Sequence, residues 1–218
     1  MEPDDVEIRV VGCLLEKQRT TPDAYPLSLN ALRLACNQAT NRDPVVEYDE
    51  ATVREALRRL ALCGWTRLAS GPGSRAPKYR QLIDETLGLD RDESALLAVL
   101  MLRGAQTPGE LKQRGDRLHS FPDLAAAQDA LDRLIENGHV ARLDRRPGQK
   151  EERYVQLLGG GEGEPVAADR PAASEDQPSL ESAPEDRLER LERELAELSE
   201  QVRQLRAALG DSDETAGP

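Results

Sequence analysis

The sequence predicts a mainly α-helical protein with small β-hairpin wings, built from two tandem winged-helix domains and a C-terminal heptad helix that forms a coiled coil. Two observations lead to this prediction. The first 158 residues contain one helix, glycine and hairpin pattern written twice, and apolar residues near the C-terminus recur in alternating steps of three and four. The predicted boundaries are 1–84 and 85–158 for the winged-helix domains, 159–184 for a flexible acidic linker and 185–210 for the coiled-coil helix.

The repeat is clearest in the third helix of each copy. Glu-Ala-Leu-Arg-Arg-Leu at 55–60 recurs as Asp-Ala-Leu-Asp-Arg-Leu at 129–134, and each copy reaches a glycine four residues later, Gly64 and Gly138. Beyond the glycines the match continues with one residue added. The matched hairpin positions are Arg67-Leu68 with Arg142-Leu143, Pro72-Gly73 with Pro147-Gly148, and Tyr79 with Tyr154. Helix, glycine cap and hairpin in this order are typical of a winged helix.

The first two helices of each copy are predicted from apolar spacing and caps. The first copy opens with an amphipathic helix over 6–18, and the second copy has matching apolar spacing over 94–101. Thr107-Pro108-Gly109-Glu110 is a capping box with proline at the first helical position, and Ser28 is the predicted cap in the first copy. The first copy also carries 12 extra residues, which include the polar stretch 37–43. That loop could hold a small ligand, although loops rich in Asn and Asp usually form turns.

Three motifs in this region carry a family resemblance: Thr21-Pro-Asp-Ala-Tyr-Pro-Leu-Ser-Leu-Asn-Ala-Leu, Ala35-Cys-Asn-Gln-Ala-Thr-Asn-Arg-Asp-Pro44 and Leu102-Arg-Gly-Ala-Gln-Thr-Pro-Gly-Glu-Leu111. With these motifs in the same order, residues 6–158 closely resemble the YceH family of uncharacterised bacterial proteins. The resemblance implies a tandem winged-helix fold and a cytoplasmic bacterial protein, and it implies no activity.

Charge is distributed unevenly along the chain. The net charge is −12, but the two copies carry 0 and −2, and residues 159–218 carry −10. The whole-chain acidity therefore does not describe the surface of either copy. No run of 18 apolar residues is present and the N-terminus is acidic, so the sequence predicts neither a membrane span nor a signal peptide. We expect a cytoplasmic protein with no membrane partner.

The C-terminal region combines a linker with a predicted coiled coil. Residues 159–184 are mostly Gly, Glu, Pro, Ala and Ser, a composition that is typical of a flexible linker. A lone amphipathic helix beyond it would be marginal in water, so it needs a partner. A self-paired coiled coil is favoured, which predicts a homo-oligomer, such as a dimer, and packing onto the repeats or onto another protein is the alternative. The predicted seam residues are Leu188, Leu191, Leu195, Leu198, Val202, Leu205 and Leu209.

The first copy contains a candidate DNA-contacting surface. With Val53, Leu57 and Leu60 facing the core, Arg54 and Arg58 lie one turn apart on the outward face of the third helix. Glu55 and Arg59 are predicted to form an i,i+4 pair beside them. The third helix of a winged helix usually enters the major groove while the hairpin contacts phosphates. The predicted DNA contacts are Arg54, Arg58, Arg75, Lys78 and Arg80, with solvated surface arginines as the alternative interpretation.

The second copy is less suited to phosphate. Gln128 and Asp132 stand where the first copy has Arg54 and Arg58, and Asp129 and Glu136 add negative charge. Its hairpin tip is basic, although acidic residues lie among the cations. The tip cations are Arg145, Arg146, Lys150 and Arg153. This copy is therefore interpreted as a surface for protein or for packing against the first.

No catalytic, metal or cofactor site is predicted. The two histidines, His119 and His139, have no cysteine or carboxylate at metal-ligand spacing. The cysteines, Cys13, Cys36 and Cys63, lack CxxC pairing and are interpreted as small buried apolar residues. The glycine run after Leu158 lacks the Gly-Lys-Ser/Thr of a phosphate loop. The chain is therefore expected not to be an enzyme.

Two functional hypotheses remain at this point. The first is a DNA-binding, transcription-regulator-like protein that dimerises through its C-terminal helix and contacts double-stranded DNA with the first copy. The second is a protein-protein interaction module or scaffold that does not bind DNA, which the near-neutral repeats favour. The first is preferred because most winged helices bind nucleic acid, an argument from fold and not from a site.

Overall fold

A computed structural model describes residues 2–69, 76–143 and 151–159. These residues form seven α-helices and five short strands, which confirms a mainly helical protein with small antiparallel hairpins. The helices are α1 Asp5–Thr20, α2 Leu29–Cys36, α3 Glu50–Leu62, α4 Ile83–Leu87, α5 Arg91–Arg103, α6 Pro108–Gly115 and α7 Leu124–Glu136. The strands are β1 Leu27–Ser28, β2 Thr66–Leu68, β3 Lys78–Gln81, β4 Val140–Leu143 and β5 Arg153–Gln156. The predicted linker beyond Gly159 and the heptad seam from Leu188 to Leu209 lie outside the described residues.

The two copies share one order of elements. The first runs α1, β1, α2, α3, β2, β3, and its sheet has the antiparallel order β1-β3-β2, with Leu27 opposite Tyr79. The second runs α5, α6, α7, β4, β5, and a single bridge between Gln106 and Tyr154 replaces β1. The structure therefore confirms that helices and hairpins repeat in the same order.

The helix ends follow the predicted capping signals. The Ser28 side chain accepts a hydrogen bond from the Ala31 amide, and Thr107 forms a full capping box with Glu110. Gly64 and Gly138 follow α3 and α7 with φ of 75° and 73°, a left-handed conformation that suits glycine. Both glycines turn the chain directly into the first strand of a hairpin.

Some boundaries differ from the sequence prediction. The first helix begins at Asp5, one residue earlier than predicted, because Asp4 and Glu7 form a capping box, and it continues to Thr20. The short helix α4 was not predicted, since five residues are too few to show a helical period. Its first residue, Ile83, is fully buried and joins the core next to the predicted domain boundary. That boundary, between 84 and 85, stays a prediction.

One continuous hydrophobic core contains residues of both copies. Helix α1 packs most extensively on α5 and also on α3, and the apolar residues predicted to face the core, such as Leu14 and Leu97, are buried. Gly12 allows the close approach of α1 to α5, because a Cβ at that position would lie 2.9 Å from the Cβ of Met101. The two copies are therefore packed together through their first helices. Among the described residues, no helix is both long and apolar enough to cross a membrane.

Candidate nucleic-acid interface

Helix α3 presents the two arginines that the sequence singled out. Its start is fixed by Asp49, whose side chain accepts a 2.8 Å hydrogen bond from the Thr52 amide. A buried stripe that includes Val53, Leu57 and Leu60 sets the rotation of the helix. The side chains of Arg54 and Arg58 consequently lie on the outward face and are 62% and 61% exposed.

Both arginines have carboxylate neighbours on their own helix. Arg54 lies 3.8 Å from Glu50, and Arg58 donates to both oxygens of Glu55 at 2.6 and 2.9 Å. The predicted pair between Glu55 and Arg59 is wrong. Arg59 instead reaches across to the start of α1, where it donates to Asp4 at 3.0 Å and lies 3.3 Å from a carboxylate oxygen of Glu7. Arg58 already holds both oxygens of Glu55, whereas the Glu7 carboxylate, 2% exposed, is buried beside Arg59.

The hairpin places the remaining predicted contacts less uniformly. Lys78 is exposed at the start of β3, close to residue 76, where the described residues resume. Arg80 is turned toward α4, where it bonds Glu85 at 2.5 Å and is 29% exposed. Arg75 lies outside the described residues. The structure thus brings Arg54 and Arg58 together on one exposed surface, whereas Arg80 forms an ion pair with Glu85.

A groove of about 220 Å³ runs between α3 and the β2–β3 hairpin. The described residues that line it are Arg54, Leu57, Arg58, Ala61, Thr66, Arg67, Leu68 and Tyr79. We call it the arginine-rimmed groove. Of its lining residues, Leu68 is 59% exposed although it is apolar. Arg67, Leu68 and Tyr79 were not predicted to belong to this surface, and the only sequence signal for them is their match to the second hairpin.

The equivalent surface of the second copy is filled by its own side chains. Gln128 donates to the Tyr154 hydroxyl at 3.0 Å and to Asp132 at 3.1 Å. Tyr154 is only 3% exposed, whereas its counterpart Tyr79 is half-buried. Arg153, a predicted tip cation, donates to the Ala105 carbonyl and lies 3.7 Å from Glu110. The other tip cations, Arg145, Arg146 and Lys150, lie outside the described residues.

The polar loop 37–43 is used for internal contacts. Asn37 exchanges two hydrogen bonds with the backbone of Tyr48, at 2.8 and 2.9 Å. Asn41 accepts from Arg103 of α5 at 3.1 Å, and the Asp43 amide donates to the Leu102 carbonyl at 2.9 Å. These bonds support turn and packing chemistry, the second of the two interpretations, and they tie the first copy to α5 of the second.

Arg42 anchors this loop in the protein interior. Its buried guanidinium bonds both carboxylate oxygens of Glu16 on α1, at 3.2 and 2.5 Å, and also donates to the Ala35 and Asn41 carbonyls. Arg117 from the second copy bonds the same carboxylate. Burial alone would raise the pKa of Glu16, but the hydrogen bonds and charges of the two arginines outweigh it and lower that pKa below 4.5.

Acid should therefore destabilise the protein partly through Glu16. The pKa of Glu16 is lower in the folded state, so the unfolded state binds more protons as the pH falls below about 4.5. The stability that the ionised Glu16 contributes is therefore lost as the pH falls through its folded-state pKa. We expect the urea midpoint of Glu16→Gln to fall less than that of the wild type between about pH 6 and pH 3. Equal falls for both proteins would contradict this assignment, since other carboxylates titrate alike in the two.

The other chemically notable residues have structural surroundings. Cys13 and Cys36 are buried, Cys63 is half-buried, and hydrogen bonding to Cys13 together with burial raises the pKa of Cys36. His119 packs edge-on against Phe121. Asp90, Asp92 and Glu93 lie close together at the start of α5, where Arg133 donates a 2.6 Å hydrogen bond to Asp92 and its Nε lies 3.3 Å from Glu93. One guanidinium thus forms ion pairs with two carboxylates of this cluster.

Fold and site together define a mainly helical protein made of two helix and hairpin copies, with a basic groove on the first. The chain belongs to the family described as "Protein of unknown function, DUF480", whose model matches residues 4–149. This agrees with the sequence resemblance to a family of uncharacterised bacterial proteins.

Bacterial relatives carry the similarity over most of the chain. A "UPF0502 protein" of Geotalea daltonii is 52% identical over 159 residues, 72% of each chain. One from Solibacter usitatus is 48% identical over 80% of this chain and 86% of its own. One from Pelobacter propionicus is 45% identical over 95% of both chains, so that match extends well past Gly159.

Proposed function

We propose that this chain is a non-enzymatic, cytoplasmic tandem winged-helix protein that binds double-stranded DNA through its first copy, as a transcription regulator would. The shared order of helices and hairpin in the two copies is the order of a winged helix, which supports the fold assignment. The observation that carries the functional proposal is the outward, one-turn spacing of Arg54 and Arg58 on α3, beside a hairpin whose second strand begins with exposed Lys78.

The carboxylates next to these arginines do not prevent DNA binding. Exposed ion pairs are weak because water screens them, so exchanging Glu50 or Glu55 for a phosphate or a guanine edge costs little. An arginine contact to a base edge, by comparison, is worth about 1–3 kcal/mol. Arg80, held by Glu85, should contribute less than Arg54 or Arg58.

Pairing through the predicted seam, Leu188 to Leu209, would give a homo-oligomer with two first copies. Two weak DNA contacts would then act together, because binding of the first raises the effective concentration of the second. The seam lies outside the described residues, and this part of the proposal depends on the heptad spacing of the sequence alone.

Charge reversal on α3 tests the DNA proposal. We expect full-length protein to bind labelled duplex DNA in fluorescence anisotropy at about 50 mM salt and to weaken steeply by about 200 mM. Replacing Arg58 with Glu should weaken binding at least tenfold, and the double variant Arg54→Glu with Arg58→Glu should abolish measurable binding.

Arg142→Glu is the matched control for this experiment. Arg142 is equally exposed, at 61%, and also pairs with a carboxylate, Glu152, but it lies in the second copy. It should lose much less affinity than Arg58→Glu. Equal losses in the two variants, or no binding by the wild type at low salt, would contradict the proposal.

An interaction module without DNA binding is the second candidate function. The observation in its favour is Leu68, which is 59% exposed and lines the groove together with the apolar residues Leu57 and Ala61, since exposed apolar surface of this kind marks contact sites. Absence of DNA binding in the anisotropy experiment would make this candidate the preferred one.

A further inference from the structure

The arginine-rimmed groove combines cationic edges with an apolar wall. Arg54, Arg58 and Arg67 supply three guanidinium groups, and none of the described lining residues is acidic. Leu57, Ala61, Leu68 and Tyr79 supply the apolar surface. We infer that this groove binds a small organic carboxylate that carries one apolar ring or a short acyl chain.

The carboxylate head group follows from the contacts already present at the rim. Arg58 holds Glu55 through two hydrogen bonds, the bidentate geometry in which a guanidinium matches a carboxylate. A ligand carboxylate would take the place of the Glu50 or Glu55 carboxylate at the arginine, because these exposed ion pairs are weak. The three arginines outnumber these two carboxylates, so the rim has the geometry for such a head group and keeps a net positive charge.

The apolar body and its size follow from the wall. A ligand that covers Leu68, now 59% exposed, removes apolar surface from water, which favours binding. The groove volume of about 220 Å³ is below the roughly 300–1,000 Å³ of sites for drug-sized molecules. One ring or a short acyl chain is the apolar group that this volume accepts.

The repeat shows that an open groove is not an automatic product of this helix and hairpin arrangement. In the second copy, Gln128 replaces Arg54 and bonds the buried hydroxyl of Tyr154, and Asp132 replaces Arg58. Compared with the second copy, the first has three differences that together make its groove open and basic. Two cations stand in place of an amide and a carboxylate, and a tyrosine lines the groove instead of being buried.

A built-in reporter makes the inference directly testable. Trp65 is the single tryptophan of the chain, is half-buried, and immediately precedes the lining residue Thr66. Full-length protein is titrated with 3-phenylpropionate while Trp65 fluorescence is recorded, with 3-phenylpropanamide as the uncharged analogue and acetate as the anion without an apolar body. Isothermal titration calorimetry of the same three compounds provides a second readout.

We expect saturable binding of 3-phenylpropionate and at least tenfold weaker binding of both comparators. Arg54→Gln with Arg58→Gln should weaken binding at least tenfold, whereas Arg142→Gln should leave it unchanged. Equal affinity for the amide, no effect of the double variant, or no saturation in either readout up to about 10 mM would overturn the inference.

The carboxylate site goes beyond the proposed function. It is tested independently of that function, because the titration contains no DNA. If both hold, 3-phenylpropionate should also lower the affinity for duplex DNA, since the ligand and DNA would share Arg54 and Arg58. Ligand binding without DNA binding would leave the groove assignment standing and remove only the DNA proposal.

Discussion

Replacing Arg42 with alanine should lower the free energy of unfolding by about 3–5 kcal/mol, the cost of breaking a buried ion pair by removing one partner. The Arg42 side chain is fully buried, and the carboxylate of Glu16 that it bonds is 1% exposed. The variant would leave that carboxylate with Arg117 and would also leave the Ala35 carbonyl without its Arg42 donor. Urea unfolding of wild type and variant, followed by far-ultraviolet circular dichroism, measures the difference.

Arg142→Ala provides the comparison for an exposed pair. Arg142 bonds Glu152 at 3.3 Å but is 61% exposed, so its loss should change stability by no more than about 1 kcal/mol. The loss of stability in Arg42→Lys should lie between these two losses, because lysine keeps the positive charge but lacks the planar set of N–H donors of the guanidinium. A loss below about 1 kcal/mol for Arg42→Ala would show that the 37–43 loop is not anchored as the structure has it.

The elements that the sequence predicted well are those with local signals. Thr107, Ser28 and the glycines after α3 and α7 act on backbone groups within four residues, so their roles can be read without knowing the fold. The outward position of Arg54 and Arg58 was predictable for the same reason, since the apolar stripe of α3 fixes its opposite face.

The contacts that the sequence did not reveal join distant segments. Glu16 and Arg42 are 26 positions apart, and both belong to residue types that are usually exposed, so no local signal marks them as a buried pair. Arg59 was assigned to the nearest carboxylate in sequence, yet packing brings the carboxylates of Asp4 and Glu7, at the start of α1, closer to it. The groove likewise needs the hairpin register, because only the pairing of Leu68 with Tyr79 decides which strand residues face α3.

The packing of α1 on α5 gives the other large expected effect: Gly12→Val should destabilise the protein by about 3 kcal/mol, the upper end of the usual range for overpacking. Glycine inside a helix is locally unfavourable by about 0.5–1 kcal/mol relative to alanine, so a packing reason is required for Gly12. A Cβ there would lie 2.9 Å from the Met101 Cβ and 3.2 Å from Leu102 Cδ2. Because a Cβ is fixed to its backbone, α5 itself would have to move.

Gly109→Ala is the matched control, since Gly109 lies in α6 and a Cβ there meets nothing within 4 Å. It should be neutral or stabilising by up to about 1 kcal/mol. Thermal and urea unfolding of both variants would compare them with the wild type. The wild type should unfold in one transition because the copies share one core. Gly12→Val should lower the midpoint of this transition or divide it into two transitions. An unchanged single transition in Gly12→Val would mean that the two copies do not depend on this contact.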